Sequence, residues 1–157
     1  MRLLSIDPGT TESAFVVLDS GVLIDKGKIG NNAMRDICIS AGCDSLAIEM
    51  VASYGMAVGK SVFETCVWTG RFIEAFSGPH TKIYRKDVKI HLCQSMKAKD
   101  ANIRQAIIDR YPETGGGRIP QIGTKKQPGP LYGVSNDIWA ALAVGLYFTD
   151  TLEAGRG

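Results

Sequence analysis

At 157 residues, 45% of them hydrophobic and with a net charge of +2, the chain has material for one folded domain with a real core and lacks the composition of a disordered or fibrous protein. Its longest apolar run, near residues 138–148, is too short to span a bilayer, and no basic region followed by a signal-type hydrophobic stretch opens the sequence, so a cytoplasmic protein without membrane contact is expected. Four cysteines without CxxC spacing argue for reduced packing residues rather than a disulfide framework.

Residues 2–7 read as a strand that ends on Asp7 and then a Pro-Gly turn. Residues 13–19 and 22–29 follow as two further strands joined at Ser20-Gly21, a hairpin turn that completes a β-meander. Residues 33–41 are helix-compatible, and residues 45–49 form a fourth strand, apolar enough to be buried on both faces, that again closes on an acid, Glu49. After a loop at 51–59, the apolar spacing over 60–76 predicts a helix. A fifth strand at 81–84 precedes helices at 86–93 and 98–111, the second with Ile103, Ala106 and Ile107 on one face. Residues 112–135 hold six glycines and four prolines without periodicity, and we expect a long flexible loop of the functional kind within a single domain spanning 1–157. Residues 137–148 close the chain as an apolar helix with Asp137 in its first turn.

The small net charge hides an asymmetry. Residues 1–78 carry 6 Lys/Arg against 9 Asp/Glu, whereas residues 79–126 carry 11 against 4. Clustered positive charge beside an acidic pocket suits a polyanion held next to a metal site.

An apolar strand ending on a carboxylate is costly unless something binds the charge. If the fourth strand pairs in parallel with the first, Asp7 and Glu49 meet at the strand carboxyl ends, where α/β sites are built, and Asp137 can join them from the last helix. Singly, each acid has a plain reading as a turn former, a strand end or a helix N-terminal charge. Together they form an oxygen-only set suited to Mg²⁺ or Mn²⁺, and such ions activate water and stabilise the leaving oxygen in phosphodiester hydrolysis. His80 and His91 lack cysteine partners at zinc spacing.

Ile6-Asp7-Pro8-Gly9-Thr10-Thr11, Ala47-Ile48-Glu49, Val88-Lys89, the stretch from Ala98 through Ile103 and the stretch from Ala141 through Leu146 together resemble the RuvC Holliday-junction resolvases, particularly their phage-encoded relatives. The resemblance implies an RNase H-like α/β fold: a five-stranded mixed sheet, strands one to three antiparallel and strands four and five parallel to the first, flanked by helices. It also implies a homodimer and Mg²⁺- or Mn²⁺-dependent symmetric nicking of four-way DNA junctions, with Asp7, Glu49 and Asp137 as catalytic metal ligands and no small-molecule cofactor. One departure is the aspartate the family carries a helical turn further on, because this chain has Ala140 and Ala141 there. Asn136 as a neutral donor, water, or weak binding of a second ion until DNA phosphate arrives are the alternatives. Lys99-Asp100 also reverses the acid-then-lysine order of many relatives.

Lys86, Lys89, Lys97, Lys99 and Arg104, read along two consecutive helices, are expected to contact DNA phosphates, joined by Arg118, Lys125 and Lys126 of the long loop. Tyr54, directly after Glu49, is a candidate wedge for unstacked bases. Phe63, Val67, Ile73, Trp139 and Leu142 read as core or dimer contacts. Competing readings are a related nuclease for forks, flaps or other branched nucleic acid, and a junction-binding protein that has lost cleavage. The Asp-Pro-Gly-Thr-Thr turn also resembles the phosphate loop of actin-like sugar kinases, but one such loop in 157 residues cannot supply their two lobes.

Overall fold

In the computed structural model, which describes residues 1–156, β1 (Arg2–Asp7), β2 (Glu12–Asp19) and β3 (Val22–Gly30) form the antiparallel meander. β4 (Ser45–Met50) pairs in parallel with β1, and β5 (His80–Tyr84) with β4, giving the order β3-β2-β1-β4-β5. This is the mixed five-stranded sheet expected. Ser20 and Gly21 both take positive φ, as a two-residue turn matched to strand twist requires. The β2–β3 pairing shifts register between Val17 and Leu18, where Ile24 has no partner.

Alternation along the strands divides the core in two. Leu4, Ile6, Phe15, Val17, Leu46 and Ile48 face one side, covered by α1 (Asn31–Ser40) and α2 (Lys60–Ala75). Leu3, Ala14, Val16, Leu18 and Ala47 face the other. That side is covered by α3 (Arg85–Cys93), α4 (Asp100–Ile108) and α5 (Ile138–Arg156). The small residues of α5 let it lie close on the sheet: a Cβ on Gly145 would sit 2.9 Å from Leu18 Cδ1 and 3.1 Å from Ser5 Cβ. Ser5 Oγ, buried in β1, donates to the Ala141 carbonyl at 2.7 Å. This contact fixes the start of α5 above the end of β1.

Several boundaries differ from the sequence expectation. Helix α4 begins at Asp100 and ends at Ile108. At its start the Asn102 side chain accepts the Lys99 backbone N–H at 2.9 Å, and Arg110 and Tyr111 turn off through i→i+3 bonds to Ile107 and Ile108. Lys97 and Lys99 therefore lie in the link before α4 and not along a helix. Helix α5 starts after Asp137 and runs on to Arg156, with Tyr147 and Phe148 still packed on the core and Leu152 half-buried beyond them. Residues 112–135 hold no helix or strand beyond one bridge between Gly123 and Pro128, yet the segment bonds to itself through Gly115, Gly116, Gly123 and Gly129 and buries Gln121, Leu131 and Val134. Phe63 and Val67 are exposed on α2, Ile73 is half-buried and Leu142 is fully buried. Phe63 and Val67 are thus excluded from the core.

An ion-paired cluster ties the helices on the α5 side together. Arg110 donates to both oxygens of Asp150 at 2.7 and 2.6 Å, and His91 Nε2 lies 2.6 Å from Asp150 Oδ2. His91 is thereby occupied within α3 and α5. All four cysteines are free, with Cys38 buried, in keeping with packing roles. Among the described residues no helix is long and apolar enough to cross a membrane.

Candidate active site

Asp7 is the last residue of β1, and its conformation is set by the turn that follows. A Cβ on Gly9 would collide with the Glu12 carbonyl oxygen, so the turn needs glycine there. The Gly9 N–H donates to Ser13 Oγ at 3.1 Å, Ser13 Oγ donates to Asn31 Oδ1 at 2.7 Å, and Asn31 Nδ2 donates to the Gly9 carbonyl at 2.9 Å. With Ser13 and Asn31 both buried, this closed network locks the chain immediately beyond Asp7.

The parallel pairing of Ser5 with Ala47 places Glu49 beside Asp7 two residues on, both on the face toward α5. Their carboxyl groups lie close enough for each to act on the other's protonation. Burial first, then Glu49 and the charge of Asp137, push Asp7 up to about 9, against a lowering by Arg85. Asp7 therefore keeps its proton at neutral pH. Two carboxylates in contact at a strand end are a charge waiting for a cation.

Sequence reasoning missed both cations that the structure supplies. Arg85, the first residue of α3, lies 3.6 Å from Glu49 Oε1 through Nη1 and also pairs with Asp100. Its signal was available: β5 is parallel to β4, so the residue after its end belongs at the same edge of the sheet as Asp7 and Glu49. Lys28 of β3 bonds Asp137 Oδ2 through Nζ at 2.8 Å. Asp7 lies opposite Ala14, and Ala14 opposite Lys28, so one row across three strands carries the acid, a small spacer and the lysine. No pattern local to β3 announces that row.

Asp137 precedes α5, and its carbonyl accepts the Ala141 N–H at 3.1 Å. It stands at the same opening but is turned onto Lys28, and among the described residues no three Asp, Glu, His or Cys side chains are grouped closely enough to enclose a metal ion. The expected trio is thus a contacting pair with a third acid held apart by a nearer counter-charge. Asn136, in left-handed backbone at φ 47°, lines the same cavity, of about 300 Å³, together with Glu49, Arg85, Arg104, Asp137, Trp139 and Ala140. Asp7 and Glu49 fit the preference of Mg²⁺ or Mn²⁺ for one or two carboxylates completed by water and phosphate oxygens.

Of the other predicted contacts, Arg104 lines this cavity and the rest are not among its lining residues. Arg104 lies over the Trp139 ring at 5.9 Å and borders the cavity. Lys86 and Lys89 are on α3, Lys97 and Lys99 on the link that follows, and Arg118, Lys125 and Lys126 are exposed on the 112–135 segment. Tyr54 is 64% exposed at the tip of a turn closed by Met56 N–H to the Ser53 carbonyl at 2.9 Å, with positive φ at both Tyr54 and Gly55. An aromatic held in left-handed backbone is a strained placement of the kind found at functional sites.

No protein-family model matches the chain, and no curated protein matches it in sequence. Among solved structures it is similar to RuvC from Thermus thermophilus, with a TM-score of 0.70 and 14% identity over 99% of this chain and 97% of that one. It is likewise similar to T. thermophilus RuvC in complex with a Holliday junction substrate, with a TM-score of 0.71 and 14% identity over 99% of this chain and 96% of that one. At this identity the likeness is one of fold, and it extends over the whole chain: the protein has the RNase H-like fold of RuvC.

Proposed function

We propose that the protein is a structure-selective endodeoxyribonuclease that resolves four-way DNA junctions by metal-dependent symmetric nicking. The observation that carries this reading is the Asp7–Glu49 pair: two carboxyl groups in contact at the ends of parallel strands, with Asp7 raised to about 9, on a fold whose solved neighbour was captured with a Holliday junction. Asp7 and Glu49 would hold Mg²⁺ or Mn²⁺, with Asp137 and Asn136 as the further donors at the opening. When bound, the ion supplies water activation and charge stabilisation at the leaving oxygen.

The chain's own residues do the rest. Asp7 is held by the Ser13–Asn31 network, so the reacting edge does not drift. Arg85 and Arg104, on the cavity wall, offer guanidinium groups to a phosphate, and Lys86 and Lys89 on α3 with Lys97 and Lys99 on the link add positive charge. Arg118, Lys125 and Lys126 add charge from the 112–135 segment. Tyr54 and its exposed neighbour Met56 present apolar surface to a base unstacked at the crossover. Exposed Phe63 and Val67 on α2 and Ile39 on α1 offer an apolar face for a second copy, and a homodimer would match the two-fold character of a four-way junction.

A second reading has an observation in its favour. Asp137 is engaged by Lys28, and Ala140 stands where a further acid would complete the site, which suits a junction-binding protein with weak or absent cleavage. End-labelled four-way, forked and flap DNA, each offered with Mg²⁺ and with Mn²⁺, separates the possibilities. Paired symmetric nicks confined to the four-way substrate are expected. Equal cutting of all three would make the protein a general branched-DNA nuclease, and tight junction binding without nicks would establish the binding-only reading.

A further inference from the structure

We propose that Lys28 is a positioning residue that couples DNA binding to metal binding: it holds Asp137 off the metal site in the free protein and releases it by passing to a DNA phosphate. The inference rests on the metal-site reading above and adds to it a device built from this chain's own residues.

The geometry points to exchange and not to a fixed structural pair. Lys28 Nζ and Asp137 Oδ2 are 2.8 Å apart, with the two side chains 39% and 56% exposed. An isolated pair so open to water adds little to folding, yet this one joins the edge strand of the sheet to the entrance of α5 across 109 residues. Ala14 stands between Lys28 and Asp7 in the cross-strand row, so the lysine and the aspartate share one face of the sheet two strands apart. While the pair stands, a dication at Asp7 and Glu49 meets a neutralised third acid and a like charge close by. A backbone phosphate laid across the opening offers Lys28 an alternative anion in the same exposed position, and Asp137 then becomes free to turn inward. By thermodynamic reciprocity, metal and DNA must then strengthen one another's binding.

Lys28→Met and Lys28→Arg test this, because side chain 28 projects from an edge strand without entering the core. Mn²⁺ uptake by DNA-free protein, followed by the electron paramagnetic resonance signal of the free ion, is expected to be about tenfold tighter in Lys28→Met, since a unit charge has been removed from beside a dication in a water-like medium. Lys28→Arg should match the wild type. A merely structural role predicts the opposite sign, a weaker site in Lys28→Met. In a second measurement, Ca²⁺ should strengthen wild-type binding to a four-way junction by a larger factor than it strengthens Lys28→Met binding. Mn²⁺ affinity unchanged or lowered in Lys28→Met overturns the role of the lysine alone. Absence of Mn²⁺ uptake in all three proteins, with and without junction, overturns the metal-site reading and the coupling with it.

Discussion

Replacing Asp7 with asparagine is expected to make the metal-free protein more stable at neutral pH. In the folded chain Asp7 is raised from 3.8 to about 9, chiefly by burial and by Glu49. Between those pH values the unfolded chain has released a proton that the folded chain keeps, so this group's contribution to stability falls as pH rises, at about 1.4 kcal/mol per unit. From 3.8 to pH 7.5 the full slope comes to about 5 kcal/mol. Asp7 keeps some contact with solvent, and relaxation of the pair brings the cost to roughly 2 kcal/mol. Asparagine cannot titrate. For a chain of this size, roughly 2 kcal/mol corresponds to a melting temperature higher by about 5 °C. The assay is thermal unfolding from pH 4.5 to 8.5 in EDTA: wild type and Asp7→Asn should converge at the acid end and separate toward the alkaline end. Added Mg²⁺ or Mn²⁺ should then stabilise the wild type and leave Asp7→Asn unmoved, with cleavage lost. An Asp7→Asn protein that melts at or below the wild type at pH 7.5 without metal would refute the burial-and-proton reasoning, whatever its activity.

Asp150→Asn should show the opposite pH dependence. Burial alone would raise Asp150, but hydrogen bonds from Arg110 and His91 hold it below its ordinary value. The stabilisation is therefore present at neutral pH and lost as pH falls through the acidic range, so the variant should be about 2 kcal/mol less stable at pH 7 by urea unfolding and draw level below about pH 4. Gly145→Ala inserts a methyl between α5 and the sheet against Leu18 and Ser5, and a loss of about 1–3 kcal/mol is expected in the same assay. Tyr54→Gly relieves left-handed backbone at the turn tip and should raise stability by about 1 kcal/mol while reducing junction cleavage; increased cleavage would remove Tyr54 from the DNA interface.

The sheet order was legible because each strand carries its own signature: Leu3 through Asp7 and Ser45 through Glu49 are apolar runs closing on an acid, and Ser20-Gly21 marks the hairpin. The contact between Asp7 and Glu49 followed from parallel pairing alone. Boundaries near α4 and α5 were less legible, since they depend on the Asn102 bond to the Lys99 N–H and on how far α5 can keep packing on β1 and β2. Arg85 could have been found by extending the strand-end reasoning to β5. Lys28 could not, because its partner Asp137 is 109 residues away and its facing is decided by pairing register. Phe63 and Val67 have helical spacing that core and interface share, and only the packing of α1 against the opposite side of α2 leaves them outside.

The unpaired Ile24 in β3 is what gives Lys28 its facing. Leu23 lies opposite Leu18 on the α5 side, and strict alternation from there would put Asp25, Gly27 and Ile29 on that side. The extra residue inverts the remainder of the strand: Lys26 falls opposite Val16, Lys28 opposite Ala14, and Gly27 passes to the other face, where the Phe15 ring would meet a Cβ at 2.9 Å. One inserted residue near the hairpin thus exchanges an aspartate and an isoleucine for two lysines along the approach to the carboxylates. Deleting Ile24 would leave an unbroken ladder with Lys28 still opposite Ala14, whereas pairing Ile24 in strict alternation would bring Ile29 to that approach and turn Lys28 away, so the sign of the charge facing Asp137 is governed by strand register next to the hairpin.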